Sequence, residues 1–296
     1  MSAKPHRAGT VAIVGRPNAG KSTLLNRLVG QKISITSRRP QTTRHRVVGI
    51  VTRPDAQLVF VDTPGLHAVH GTELNRRMNR AIAQAVEEVD VVLVLLEALR
   101  FDATDRRVLE LLRPDMPAVA AVNKTDLVKD KATLLPHFAR LAAAFPFRAI
   151  VPISAKTGRQ TGELLDELAA LLPEGPALHS EDDLTDRSER FLAAELLREK
   201  LFRQLGEELP YAAAVEIESF ETQRGLRRIA ASVLVDRPGH KAIVIGKGGE
   251  KLKAIASQAR VDMEKLFGGK VFLEVWVKVK KGWMDDPAVL KRLGYD

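Results

Sequence analysis

Two glycine-lysine loops hold the side chains best suited to chemistry. The first, "GRPNAGKST", runs from Gly15 to Thr23 and fits the pattern G-x-x-x-x-G-K-S/T. Small residues there let successive backbone N–H groups turn inward around a phosphate, and a helix starting at the lysine adds its positive end. Gly15, Asn18, Ala19, Gly20 and Thr23 would line such a cradle. Lys21 would reach the β- and γ-phosphates, and the Ser22 hydroxyl would take a Mg2+ ion. The second loop, "VIGKGGEKLKAI", sets Gly246, Gly248 and Gly249 around Lys247, with Lys251 close behind. No Ser or Thr follows its lysine, and both the P-loop spacing and G-x-G-x-x-G are absent. It is therefore not expected to be a second nucleotide site.

Three further short motifs bear on the first loop. In "NKTD", Asn123, Lys124 and Asp126 follow an apolar run. A carboxylate at Asp126 can accept hydrogen bonds from both the ring N–H and the amino group of guanine. Adenine has no such pair of donors, so the motif favours GTP over ATP. "SAK" (Ser154, Ala155, Lys156) can close over the base from the other side. In "DTPG", Asp62 can hold a Mg2+ shell through water, Thr63 and Pro64 shape the turn, and the Gly65 N–H can meet a γ-phosphate. Between them lies "RRPQTTRHR", where a threonine could complete the Mg2+ shell when GTP is bound. Thr43 is the first choice and Thr42 the alternative. Many GTPases orient the attacking water with a glutamine just after the DxxG turn. Here Leu66 and His67 occupy that place, and leucine can neither donate nor accept a hydrogen bond, so slow intrinsic hydrolysis is expected.

These motifs need a scaffold that delivers each at a strand end. From Thr10 to Leu172, strand-length apolar runs (Val11–Val14, Leu58–Val61, Val91–Leu96, Ala118–Val122, Ala149–Ile153) alternate with stretches of helical period. That order implies a mostly parallel sheet with crossover helices. "PEGPALHSEDDLTDRSE" then breaks the pattern as a linker would. Beyond it, an amphipathic helix through Phe191, Leu192, Leu196, Leu197, Leu201 and Leu205 is expected to stop at Pro210. Two strands follow, "AAAVEIESFE" and "RRIAASVLVD", joined through "TQRG". The short run "KAIVI" enters the second glycine loop, a helix carries Leu252, Ile255, Ala259, Met263 and Leu266 on one face, and "VFLEVWVKVK" alternates as a strand. The tail is expected to form one last helix.

The 296 residues carry a net charge of +9 and no cysteine. The charge favours anionic partners, and the missing thiols exclude disulfides and thiolate metal sites. No apolar run approaches the length of a membrane span. The N-terminal "MSAKPHRAGT" lacks the apolar core of a secretory signal, so a cytoplasmic location is expected.

The forms "GRPNAGKST", "TTRHR" and "DTPGLH" resemble the Era family within the translation-factor-related GTPases. The second glycine loop fits the G-x-x-G turn of a KH domain, in which Gly246, Lys247, Gly248, Gly249 and Lys251 let a nucleic-acid backbone pack close. The resemblance covers nearly the whole chain. It implies an α/β P-loop GTPase domain at 8–173, a linker at 174–189, and a smaller α+β type II KH domain at 190–296. It further implies a monomeric GTP/GDP switch that binds 16S rRNA near its 3′ end, assists maturation of the 30S subunit, and associates peripherally with the inner membrane. Asn18 would help hold a K+ ion, and Ser22, Thr43 and Asp62 the Mg2+. A KH-like domain that binds protein or membrane in place of rRNA is the alternative. Lys253, Lys270, Lys278, Lys280 and Lys281 would extend a basic track or form a solvated face. Trp283 would cover the core or stack on a base. Glu97 departs from the family, which commonly ends that strand with Asp, and the tail "GWMDDPAVLKRLGYD" departs from its usual basic, aromatic ending.

Overall fold

The computed structural model describes residues 5–37, 39, 42–65, 72–206 and 208–295. The chain divides into two compact units. One comprises Met1–Ser34, Thr43–Ala68 and Met78–Asp186, the other Ile35–Thr42, Val69–Arg77 and Arg187–Asp296.

The first unit is built on β1 (Arg7–Val14), α1 (Lys21–Val29), β2 (Val47–Thr52), β3 (Ala56–Asp62), α2 (Glu73–Glu87, whose first turn belongs to the other unit), β4 (Val91–Glu97), α3 (Ala103–Leu109), β5 (Ala118–Asn123), α4 (Leu134–Ala144), β6 (Ala149–Pro152) and α5 (Thr161–Leu171). The sheet runs β2-β3-β1-β4-β5-β6, and only β2 is antiparallel to its neighbour. Val91–Leu96 and Ala118–Val122 are completely buried. Strands covered on both faces read as unbroken apolar runs, which is why these two stand out in the sequence. The strand β2 was not expected: a glycine interrupts its apolar run and it lies at the sheet edge. From β1 the chain moves to β3 on one side and to β4 on the other. That reversal opens a crevice at the carboxyl end of β1, where the first glycine loop begins.

The expected linker is fastened over much of its length. Gly175 N–H donates to the His6 carbonyl (3.1 Å), and Arg7 reaches the Leu172 carbonyl (2.6 Å) and Glu174 (3.1 Å). The buried Gln57 amide oxygen accepts from the N–H groups of Leu178 (2.7 Å) and His179 (2.8 Å). Ile50 N–H donates to the Leu184 carbonyl (2.9 Å), and the Thr185 hydroxyl to the Val48 carbonyl (2.6 Å). An edge strand offers unpaired backbone groups, and this acidic segment takes them up.

The second unit adds α6 (Glu189–Gln204), β7 (Ala213–Gln223), β8 (Leu226–Val235), α7 (Pro238–Ile245), α8 (Glu250–Phe267), β9 (Val271–Val279) and α9 (Pro287–Arg292). β7 pairs antiparallel with β8, and β9 adds to β8 in parallel. The hairpin turn shrinks to Arg224 and Gly225, both at positive φ (51° and 79°), because strand pairing continues to Gln223 and Leu226. α6 starts at a Ser188 cap and ends before Gly206 (not at Pro210, as the sequence suggested). "KAIVI" is helical, the greater part of α7, which Pro238 opens from the first turn. Leu196, Leu197 and Leu201 of α6 share one core with Ile255, Ala259 and Met263 of α8 and with Ile229, Ala231 and Val233 of the sheet. Trp283 is completely buried and donates its indole N–H to the Ala212 carbonyl (3.1 Å), so it serves the core.

Candidate nucleotide site and nucleic-acid interface

The first glycine loop leaves β1 at Gly15 and enters α1 at Lys21. Lys21 is 6% exposed, and its ammonium donates to the carbonyls of Gly15 (3.0 Å) and Arg16 (3.1 Å). Burial pulls its pKa down to about 8, with Asp62 opposing the shift. Burial also pushes the Asp62 carboxyl upward, against Lys21, Ser22 and Ser34. Each charge is thus short of compensation. An anionic phosphate beside Lys21 and a cation beside Asp62 would supply it.

Ser22, Thr43 and Asp62 meet as expected for a metal shell. Ser22 Oγ lies 2.7 Å from Thr43 Oγ1 and donates to Asp62 Oδ2 (2.8 Å). The other carboxylate oxygen, Asp62 Oδ1, is buried without a hydrogen-bond partner among the described residues. Two hydroxyl oxygens beside an orphaned carboxylate oxygen suit a hard, oxygen-loving ion such as Mg2+. Thr42 does not share this cluster: its hydroxyl meets Ser37 Oγ (2.6 Å) and the Arg39 carbonyl (2.8 Å). Thr63 donates to the Ile13 carbonyl (2.9 Å), Pro64 is buried, and a Cβ on Gly65 would come within 3.1 Å of Pro17. The DTPG turn therefore packs on the P-loop. Leu66 and His67 lie outside the described residues.

Asn123 ties the loops together. Its amide N–H donates to the Ala19 carbonyl (2.8 Å) and its oxygen accepts from Ala155 N–H (2.9 Å). Its Nδ2 stands 2.4 Å from where a Cβ on Gly20 would lie, and Gly20 has φ +108°. Only glycine permits both that backbone and that approach. Asp126 is exposed and accepts from Ser154 Oγ (2.7 Å), so the NKTD and SAK motifs meet. Lys124 pairs with Glu97 (3.0 Å), so the unusual strand-end glutamate holds that lysine in place. Lys156 and Thr23 are exposed, and Asn18 sits at the exposed crest of the loop with φ +63°.

Several supports carry no local sequence signal. Arg16 bridges from the P-loop to Asp102 (2.8 Å) and Asp105 (3.3 Å) at the start of α3, and Asp102 caps that helix. Arg27 of α1 donates to the Lys156 carbonyl (2.6 Å) and so braces the SAK loop. Such partners lie far along the chain, and only the fold joins them.

In the second unit, Gly246 ends α7, one tight turn covers Lys247–Gly249, and α8 begins at Glu250. The glycines divide their work. A Cβ on Gly246 would lie 2.8 Å from Lys251 Cβ, so this glycine serves packing. Gly248 (φ +58°) and Gly249 (φ +83°) have open space where a Cβ would be, and Lys247 is exposed. That bare, cationic turn at the start of an 18-residue helix can receive a phosphate backbone. The expected basic track is less free than its count suggests. Lys278 pairs with Glu218 (2.6 Å) and Lys280 with Asp286 (3.3 Å), while Lys253, Lys270 and Lys281 are exposed.

Fold and sites together define a P-loop GTPase that carries a KH domain. A family described as 50S ribosome-binding GTPase matches residues 10–124, and the KH domain family matches 208–284. GTPase Era of Nitrosomonas eutropha is 55% identical over 296 residues, and that of Chromobacterium violaceum 56%, each covering all of both chains. Among solved structures, Aquifex aeolicus Era bound to GDP and AlF4− superposes with a TM-score of 0.94 at 38% identity, covering 98% of this chain and 99% of that one. Era in complex with MgGDPNP and nucleotides 1506–1542 of 16S ribosomal RNA gives the same TM-score, identity and coverage. The chain belongs to the Era family of GTPases, and its reaction is the hydrolysis of GTP to GDP and phosphate.

Proposed function

We propose that this GTPase is a Mg2+-dependent switch that binds 16S rRNA near its 3′ end through its KH domain and assists maturation of the 30S subunit. The observation that carries the RNA partner is the open turn at Gly248 and Gly249 beside the exposed Lys247. The relative solved with nucleotides 1506–1542 of 16S rRNA supports the choice of RNA. Ser22, Thr43 and Asp62 would hold the metal, which supplies charge stabilisation at the phosphates when bound. The protein acts in the cytoplasm as a monomer, with peripheral attachment to the inner membrane, as the family resemblance implies. Binding of a 3′-end 16S fragment to the full chain, titrated across salt concentrations, tests the reading. Phosphate contacts predict a steep salt slope, and no binding at low salt would overturn it.

The switch reading has its own support. Ile35–Thr42 belongs to the C-terminal unit, while Thr43 belongs to the N-terminal one. Within the C-terminal unit, Thr36 N–H donates to the buried Glu199 carboxylate (3.0 Å), and the Arg198 guanidinium donates to the Thr42 carbonyl. Lys200 joins Glu199 to Asp262 on α8, the helix that begins at the glycine loop. The residue after Thr42 is the candidate metal ligand. RNA is expected to bind more tightly to the protein loaded with a GTP analogue than with GDP, and Glu199→Gln to narrow that difference. Equal affinities in the unaltered chain would sink the coupling.

Asn18 at the loop crest would hold a K+ ion, placing fixed positive charge where negative charge develops. Exchanging potassium for sodium chloride should slow GTP hydrolysis, and Asn18→Ala should remove the difference. Equal rates in the two salts would count against the ion.

A further inference from the structure

Ser34 touches the candidate metal shell without being one of its ligands. It is 2% exposed and donates its hydroxyl to Asp62 Oδ2 (3.0 Å). Ser22 donates to the same oxygen (2.8 Å). One carboxylate oxygen thus takes two hydroxyl donors, while Oδ1 takes none among the described residues. Such an imbalance fixes how the carboxylate can turn. Turning the carboxylate plane away from Ser22 and Ser34 would break both bonds, and Asp62 is fully buried, so no water there would replace them.

Ser34 is itself held. The Asn26 side chain accepts from the N–H groups of Ile33 and Ser34 (2.9 Å each) and donates to the Ser34 carbonyl (2.6 Å). Asn26 and Ser22 are four residues apart on α1, about one turn of the same helix. One face of α1 therefore delivers the candidate metal hydroxyl directly, and the brace on Asp62 through Ser34. All four residues lie in the N-terminal unit.

We propose that Ser34, braced by Asn26, is a positioning residue for the metal shell: it occupies Asp62 Oδ2 and leaves Oδ1 as the oxygen presented to the Mg2+ ion or its water. Ser34 would act through the Asp62 carboxylate and not as a ligand. Its effect belongs to the metal-bound state of the nucleotide site, and it rests on the Mg2+ dependence of the proposed function.

The test measures release of a fluorescent GDP analogue from the full chain, once in Mg2+ and once in EDTA. Unaltered protein should release the analogue faster in EDTA, and equal rates there would overturn the Mg2+ reading itself. A hydrogen bond to a buried charge is worth about one to two factors of ten, so Ser34→Ala should speed release in Mg2+ by about tenfold or more. In EDTA its rate should equal that of the unaltered chain. Asn26→Ala, which frees the Ser34 backbone, should show the same metal-specific acceleration to a smaller degree. The proposal is overturned if Ser34→Ala releases the analogue at the unaltered rate in Mg2+. It is equally overturned if release speeds up by the same factor in Mg2+ and EDTA, since that marks a general loosening of the loop.

Discussion

Replacing Lys247 and Gly248 together by aspartate should lower affinity for a 3′-end 16S rRNA fragment by about hundredfold or more while GTP hydrolysis without RNA continues unchanged. Lys247→Asp turns an exposed cation at the turn into an anion, and Gly248→Asp adds a second anion where the phosphate backbone would pass. The fold should tolerate both. A Cβ on Gly248 meets nothing within 4 Å, and aspartate is among the few side chains that accept its φ of +58°. Negative charge before the start of α8 suits the positive end of that helix. Losing one phosphate contact should also reduce the salt slope of any remaining binding by about one. Filter binding or fluorescence anisotropy with the full chain gives both quantities. Undiminished binding would mean that RNA docks elsewhere, or that the domain serves a protein or a membrane.

Asp126→Asn is expected to be as damaging to GTP. The carboxylate can accept from guanine's ring N–H and its amino group, whereas an amide would set an N–H donor against one of those donors. One hydrogen bond to a charged acceptor is lost and the other falls from charge-assisted to neutral, which implies a fall in GTP affinity on the order of 10² to 10³. Xanthine carries a carbonyl where guanine carries the amino group, so the same change should raise affinity for xanthosine triphosphate. Competition between the two nucleotides at one labelled site measures the exchange of preference. Ser154 Oγ, 2.7 Å from Asp126 Oδ1, can donate to an amide oxygen or accept from an amide N–H, so the loop should survive the substitution. If GTP affinity held, Asp126 would not be the base reader, despite its place after β5.

Some of this architecture could be read from a single chain because its physics is local. The phosphate loop is legible since spacing alone aligns its backbone donors and delivers Lys21 and Ser22 to one helix start. β4 and β5 are legible since burial on both faces demands an unbroken apolar run. The second glycine loop is set apart from the first by a missing hydroxyl: with no Ser or Thr after Lys247, it lacks a metal ligand.

The remainder depends on partners brought together by the fold. Periodicity marked the apolar face of α6, yet Glu195, Arg198, Glu199 and Lys200 are buried as well. Nothing in their local pattern separates them from a solvated face, because their partners include Thr36, Thr42 and Asp262. The linker's composition marked a break in the pattern, but not that Gln57 and the edge of β2 would fasten the segment.

By itself, the sequence determined the chemical groups that the two glycine loops offer and the order in which the strands deliver the nucleotide motifs. Tertiary structure placed Thr43, and not Thr42, beside Ser22 and Asp62, sent Trp283 to the core, paired Glu97 with Lys124, and turned one oxygen of Asp62 toward Ser34 while the other has no partner among the described residues. These outcomes share a cause. A motif's donors are fixed by backbone spacing within a few residues, whereas the orientation of a buried side chain is set by whichever distant group satisfies it.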